Sequence, residues 1–208
     1  MKAFISLMVV AVVMPLAAQT RYPKHNFTVG AGASLPGGEL TGRFSNRPGI
    51  SVGYGYRLLN YLQVDGGLDT VFGAAGVRDF LQTDMGYVRI RDFQWLIPFG
   101  GRLILPVRGG RLLLSAGGGG AYMRYSERLQ QPSSYYHFGC PNCNSRSGWG
   151  NYALVGGSVA LDHYQRFRVG VTSKFYRGHT DGAAVGALPA AETLDRWINL
   201  FADFTVTF

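Results

Sequence analysis

Apolar residues recur at every second position over eight separate stretches of this 208-residue chain, and that period constrains the fold more than any other feature. A period of two belongs to a strand with one apolar side, whereas a half-buried helix would repeat near 3.6. The stretches run about 26–34, 49–58, 61–72, 92–105, 111–123, 149–162, 166–176 and 197–208. In the last of them, Ile198, Leu200, Ala202, Phe204, Val206 and Phe208 alternate with Asn199, Asp203, Thr205 and Thr207. The polar parity elsewhere carries Ser51, Arg57, Gln63, Asp65, Asp69, Gln94, Arg102, Arg168, Thr172 and Lys174. Leu96, Ile104, Leu113, Leu154 and Phe201 interrupt that polar face, and the Gly117–Gly120 run leaves the face of stretch 111–123 almost unreadable.

The connections alternate between long and short. Segments 34–48, 73–91, 124–148 and 177–196 are long, while 59–60, 106–110 and 163–165 are turns. A membrane barrel with both ends in the periplasm needs long loops at connections one, three, five and seven, which is the order here. Aromatic residues on the apolar parity gather at two levels. Phe27, Tyr56, Phe167 and Phe208 mark one, and Phe72, Phe93, Trp95, Tyr122, Trp149 and Phe175 mark the other, with aliphatic residues between them. Two amphipathic belts around an aliphatic band are what the two membrane interfaces select. A charged fraction of only 15% agrees with a surface that faces lipid.

The N-terminus reads as an export signal. Lys2 provides the positive region, Ala3 to Met14 the apolar stretch, and Pro15 to Ala18 the small residues before a cut after Ala18. No later apolar run is long enough to cross a bilayer as a helix. The expectation is a signal peptide over 1–18 and one domain over 19–208: all-β, an eight-stranded antiparallel up-and-down transmembrane β-barrel in the bacterial outer membrane.

The signal peptide, the eight alternating stretches and the terminal phenylalanine resemble the small outer-membrane barrels of the OmpA/OmpX sort. The resemblance spans the mature chain as architecture. It implies that Phe204, Val206 and Phe208 form the signal read by the barrel-assembly machinery, with Ala202 a weak match to the pattern.

Function is less legible. Eight strands enclose a space that side chains can fill. The inward set balances Arg57, Arg102, Arg168 and Lys174 against Asp65, Asp69, Asp203 and, near a turn, Asp162. An unpartnered buried charge is costly, so the expectation is an ion-paired, plugged lumen, with Lys174 or Arg168 as partner to Asp203. A narrow transport path for a small or hydrophobic solute is the alternative. The loops are then the place for activity in adhesion, envelope integrity or ligand contact. In the third loop, Cys140 and Cys143 suggest a local disulfide, with a zinc site using His137 as a rival reading, beside the aromatic run Tyr135-Tyr136-His137-Phe138. Candidate rim nucleophile and base sets are His179, Thr180 and Asp181, and Ser133, Ser134 and His137, neither in a motif of a known hydrolase. The reading is therefore non-enzymatic and without a cofactor. A net charge of +8 favours anionic surfaces such as lipopolysaccharide and the outer-membrane lipids. No nucleic-acid-binding spacing is present, so no nucleic-acid partner is expected.

Overall fold

The structure, a computed structural model, describes residues 23–77, 80–83, 86–130 and 139–208. The expected signal peptide, the Tyr135 to Phe138 run and Ser133 and Ser134 lie outside the described residues. Among the described residues nine strands form: β1 (His25–Gly38), β2 (Arg47–Leu59), β3 (Leu62–Phe72), β4 (Phe80–Thr83), β5 (Gly86–Val107), β6 (Leu112–Leu129), β7 (Ser145–Ala160), β8 (Phe167–Gly182) and β9 (Thr193–Thr207). β4 is a short hairpin partner of the outer end of β5. The other eight form one antiparallel up-and-down ring, closed where β1 pairs with both β2 and β9 and where β3 pairs with β5. Closure leaves no edge along the lipid band, which is the condition for strands to cross hydrocarbon.

The expected alternation sets the two faces. Val29, Ile50, Val52, Leu103, Leu105, Val171, Leu200 and Phe204 stand outward and exposed, while Ser51, Arg57, Gln63, Asp69, Gln94, Arg168, Lys174 and Asn199 are buried inside. The strands are longer than the sequence pattern indicates. β1 reaches Gly38, β8 reaches Gly182, and β5 begins at Gly86. The outward residues show where lipid ends. On β5, β6, β8 and β9 the unbroken outward apolar run ends at Phe93, Tyr122, Phe175 and Ile198, and the next outward residue on each strand is Arg91, Arg124, Arg177 and Arg196. Beyond that level the wall continues in water, where alternation between lipid and lumen no longer applies. The period-two pattern therefore marks the spanning segments and misses their extensions.

Glycines shape the wall between β5 and β7. Gly100, Gly117, Gly118 and Gly119 pack so closely against neighbouring backbone that a Cβ at any of them would collide with a carbonyl oxygen. Side-chain-free positions let the sheet coil sharply enough to close a narrow ring. Phe99 lies over Gly120 from the outside and meets Trp149 edge to face at 6.1 Å, covering the bare backbone. In the inner turn between β5 and β6, Gly109 and Gly110 take φ values of 67° and 84°, which glycine adopts at little cost.

At the opposite end the first and last strands meet. The backbone N–H groups of His25 and Phe208 donate to each other's carbonyls at 2.9 Å, and the imidazole stacks on the terminal ring at 5.5 Å. His25 Nδ1 also lies 2.6 Å from the Tyr54 hydroxyl. His25 thus belongs to β1 and to the seam.

Candidate functional site: the lumen and its outer cap

The lumen is built in layers. At its outer end lies an apolar plug. Loop residues Leu40 and Phe44 from the first long connection, Ala74, Ala75 and Val77 from the second, and Val185 and Leu188 from the fourth turn inward. They pack on the wall residues Leu96, Met123, Tyr125 and Trp197, all fully buried. Phe44, Tyr125 and Trp197 form an aromatic triangle with centroid distances of 5.6, 5.8 and 6.4 Å, and Trp197 Nε1 donates to the Tyr125 hydroxyl at 3.0 Å. The sequence pattern places Leu96 and Leu154 as exceptions on a polar face. They are inward residues of this apolar core.

Polar clamps hold the loops on the plug. Asp92 accepts from the backbone N–H groups of Ala75 and Val77 at 2.7 and 3.2 Å and from Gln94 Nε2 at 2.7 Å. Glu127 accepts from the backbone of Asn144 and Gly186, at 3.0 and 3.2 Å. Arg146, 2% exposed, is the largest clamp. Its guanidinium donates to the carbonyls of Thr180, Pro189 and Ala191 and to the hydroxyls of Thr180 and Thr193, at 2.6–2.9 Å. The same two hydroxyls donate onward to Asp195, at 2.5 and 2.8 Å. Arg146 and Asp195 are joined through two threonines instead of by direct contact. Burial pushes the Asp195 carboxyl above its usual value, against the hydrogen bonds from Thr180, Thr193 and Tyr125. Burial, and then the charge of Asp195, hold the Tyr125 phenol well above its ordinary range, so it stays a donor to that carboxylate.

Below the plug is a charged layer. Asp69, fully buried, accepts from Lys174 Nζ at 2.6 Å, the Tyr176 hydroxyl at 2.8 Å and Asn199 Nδ2 at 3.2 Å. Lys174 also donates to Ser51 at 2.9 Å and lies 5.5 Å from the Phe201 ring. Further toward the periplasmic end, Arg102 Nε lies 2.5 Å from Asp65, which also accepts from Gln63 Nε2 at 2.5 Å. Two small cavities occupy this half of the lumen and share Thr28, Gln63 and Arg102 as lining.

The seven inward charges expected from sequence are therefore gathered inside the barrel, but with different partners. Asp203 occupies the space that side-chain-free Gly30 leaves opposite it, and Lys174 is committed to Asp69. Arg168 donates to Ser158 and to the carbonyls of Gly110, Arg111 and Ser158. Asp162 stays in its turn, accepting from the Phe167 backbone. Arg146 and Asp195 are missing from the sequence-derived set because they fall beyond the spanning alternation, and Asp92 because it stands at the very edge of the stretch 92–105. The one available signal is charge on the continued inward parity of stretches that begin as strands.

Of the rim candidates, His179, Thr180 and Asp181 do not assemble into a nucleophile and base. Alternation on β8 turns Thr180 inward to Arg146 and Asp195, while His179 faces out, 3.3 Å from Glu192 and 61% exposed. Cys140 and Cys143 are joined in a disulfide with Cα atoms 5.3 Å apart, and both pack against the edge of the plug. Among the described residues no cluster of His, Cys, Asp and Glu has the makings of a metal site.

No protein-family model matches this sequence, and no curated protein matches it either. Solved structures match by fold. Neisserial surface protein A superposes with a TM-score of 0.57 at 13% identity, over 88% of this chain and 97% of that one. The outer-membrane protein OprG from Pseudomonas aeruginosa gives 0.50 at 11% identity, over 90% and 97%. Ail, the attachment invasion locus protein of Yersinia pestis, solved with the heparin analogue sucrose octasulfate, gives 0.48 at 12%, over 88% and 99%. The fold is thus that of a small eight-stranded outer-membrane β-barrel with transmembrane strands, as expected from the alternation.

Proposed function

We propose that this protein is a non-enzymatic integral protein of the bacterial outer membrane, a closed barrel that carries a rigid capped extension outside the lipid. The observation that carries this reading is the apolar plug, in which three long loops turn inward and seal the outer mouth instead of framing a pore. A pore needs water along its whole axis, and a dry aromatic layer excludes it.

The extension suits surface contact. Arg91, Arg124, Arg177 and Arg196 stand just above the outer aromatic belt on two pairs of adjacent strands, β5–β6 and β8–β9, with Arg43, Arg47, Arg89 and Arg128 exposed farther out. Arg177 and Arg196 are cross-strand neighbours, and Arg128 lies 5.7 Å from the Trp95 ring. Guanidinium groups at the level of lipid phosphates bind them with forked hydrogen bonds, so lipopolysaccharide is the partner this belt fits. The roles that follow are envelope integrity or adhesion.

Fractionation with a heat-modifiability gel tests the reading. The protein should remain with the outer membrane, migrate faster unboiled than boiled, and give no conductance in planar bilayers. Recovery in the aqueous periplasmic fraction would remove the membrane reading.

A second reading has one specific observation behind it. The β3–β5 ladder skips from Gly66–Phe99 to Asp69–Leu96, at a point where Pro98 has no N–H to offer. Gly66, Gly67 and Pro98 line one of the two cavities there, so a small solute could pass sideways between lumen and lipid. Solute uptake that is lost on Pro98→Val, with the cap intact, would favour transport over the sealed barrel.

A further inference from the structure

We infer that the turns joining β5 to β6 and β7 to β8 form one binding site for the headgroup of an anionic phospholipid in the periplasmic leaflet. The inference rests on the membrane-spanning reading above and adds a partner at the other end of the barrel from the outer arginines. Arg108 and Arg111 stand in the first turn and Arg166 in the second, all exposed. Because β6 pairs with β7, the two turns are neighbours on the inner rim. Hydrogen bonds fasten them together. Gln165 Nε2 donates to the Gly109 carbonyl at 2.9 Å, and Arg168 reaches from β8 to the carbonyls of Gly110 and Arg111 at 3.0 and 3.1 Å. The backbone N–H of Ala160 adds a bond to the Arg111 carbonyl at 2.8 Å. Arg108 and Gln165, one in each turn, have φ values of 51° and 59°, and among the described residues no other non-glycine residue takes a positive φ. Side chains adopt that conformation at a cost, and such strain gathers where a loop is held for function.

Charge and position together select the ligand. Within the two turns Asp162 is the one acid, and its carboxylate accepts from the Phe167 backbone. Among the described residues the ion pairs fall on Asp65, Asp69 and Glu192, so none neutralises Arg108, Arg111 or Arg166. Three bases against one acid leave two positive charges. The turn Leu59-Asn60-Tyr61 between β2 and β3 carries no charge, so the bases gather on one arc of the inner rim. The level is that of lipid headgroups. The outward face of β5 runs down through exposed Leu103 and Leu105 to this turn, and that of β8 begins at exposed Phe167. Leu161 and Tyr164 are exposed in the second turn, Tyr164 at 77%, and the Arg166 guanidinium lies 5.7 Å from the Tyr164 ring. At the boundary of acyl chains and headgroups, leucine and tyrosine meet carbon while guanidiniums fork onto phosphate. An excess of positive charge favours an anionic headgroup over a zwitterionic one, whose own cation it repels.

Titration of the refolded full chain in neutral detergent with dihexanoyl phosphatidylglycerol, bound lipid being counted by native mass spectrometry, tests the site. Dihexanoyl phosphatidylcholine is the zwitterionic reference. The native protein should bind the glycerol lipid at least about tenfold more tightly than the choline lipid, and Arg108→Gln with Arg111→Gln and Arg166→Gln should remove most of that preference. These side chains are exposed and the turns are tied by other groups, so the triple variant should keep the gel shift of the folded barrel. The outer arginines can also hold anionic lipid, so Arg177→Gln with Arg196→Gln is the parallel variant, and it should retain the tight periplasmic site. Loss of the gel shift in the native chain would instead strike the membrane reading itself. Equal affinity of the native protein for the two lipids overturns the proposal, as does a preference undiminished in the folded triple variant. Co-sedimentation with isolated peptidoglycan that depends on the three arginines, without any lipid preference, would assign the patch to the cell wall and also overturn it.

Discussion

Arg146 shows how one side chain can hold a loop that has little structure of its own. Its five hydrogen bonds reach both ends of the segment between β8 and β9, and Asp195 receives the hydroxyls that Arg146 orients. Replacing Arg146 by Gln leaves three carbonyls short of a donor and Asp195 buried without its countercharge, a loss of about 3–5 kcal/mol by analogy with broken buried pairs. Limited proteolysis should then cut within 183–192 while the spanning strands stay resistant. Asp195 also predicts a pH dependence. Its carboxyl is raised in the folded state, so folding favours the protonated form. Stability from this group is greatest below the ordinary carboxylate value of about 4 and declines as pH rises through the raised folded value. Urea unfolding followed at several pH values should show that decline in the native protein relative to Asp195→Asn, which carries no titrating group there. Parallel profiles in the two proteins would contradict it.

At the level of elements, legibility followed the solvent. Where a strand has lipid on one side and lumen on the other, as in Ile198 to Thr207, each residue's chemistry announces its face, and the ring of eight could be read directly. The aromatic belts were legible for the same reason, since Phe93, Tyr122 and Phe175 stop where arginines begin. Above that level β5 and β8 run on between water and a dry plug, and residues such as Arg146 and Trp197 follow packing that only the closed structure defines. The plug was illegible because Leu40, Phe44, Val185 and Leu188 come from loops with no period to mark them. Glycines hid β6 in another way, because Gly117 to Gly120 serve close approach of backbones instead of either face. The seam allows a prediction at this scale. Deleting Phe208 removes a paired backbone bond with His25 and a stacked ring, besides the terminal residue that assembly is expected to read. The folded fraction on unboiled gels should fall sharply in cells. His25→Ala, which keeps the backbone pair and the terminal residue, should insert normally and unfold at slightly lower urea. Gly186→Ala tests the cap separately: Gly186 has a φ of 55°, and a Cβ there would come 2.6 Å from the Ala75 carbonyl oxygen. Two loops would be forced apart, with greater protease access to the outer mouth and an unchanged gel shift.

For the molecule as a whole, the axis is closed twice in series, by chemically different layers. The outer barrier is dry and aromatic, with Phe44, Tyr125 and Trp197 at its centre. The inner one is a buried charge network centred on Asp69 and Lys174. Barriers in series do not act additively on conductance, because removing either leaves the other to block ions. Phe44→Ala with Trp197→Ala should cost several kcal/mol in cap stability, as large aromatic truncations do, yet leave the barrel nonconducting. Replacing the inner pair together, Asp69→Asn with Lys174→Met, avoids an orphaned charge and should also leave it closed behind the intact plug. All four changes combined should open a narrow passage, continuous with the two cavities of the periplasmic half, that appears as small steps in planar bilayers. Conductance in either double variant alone would show that one layer does all the sealing, and conductance in the unmodified protein would show that neither does.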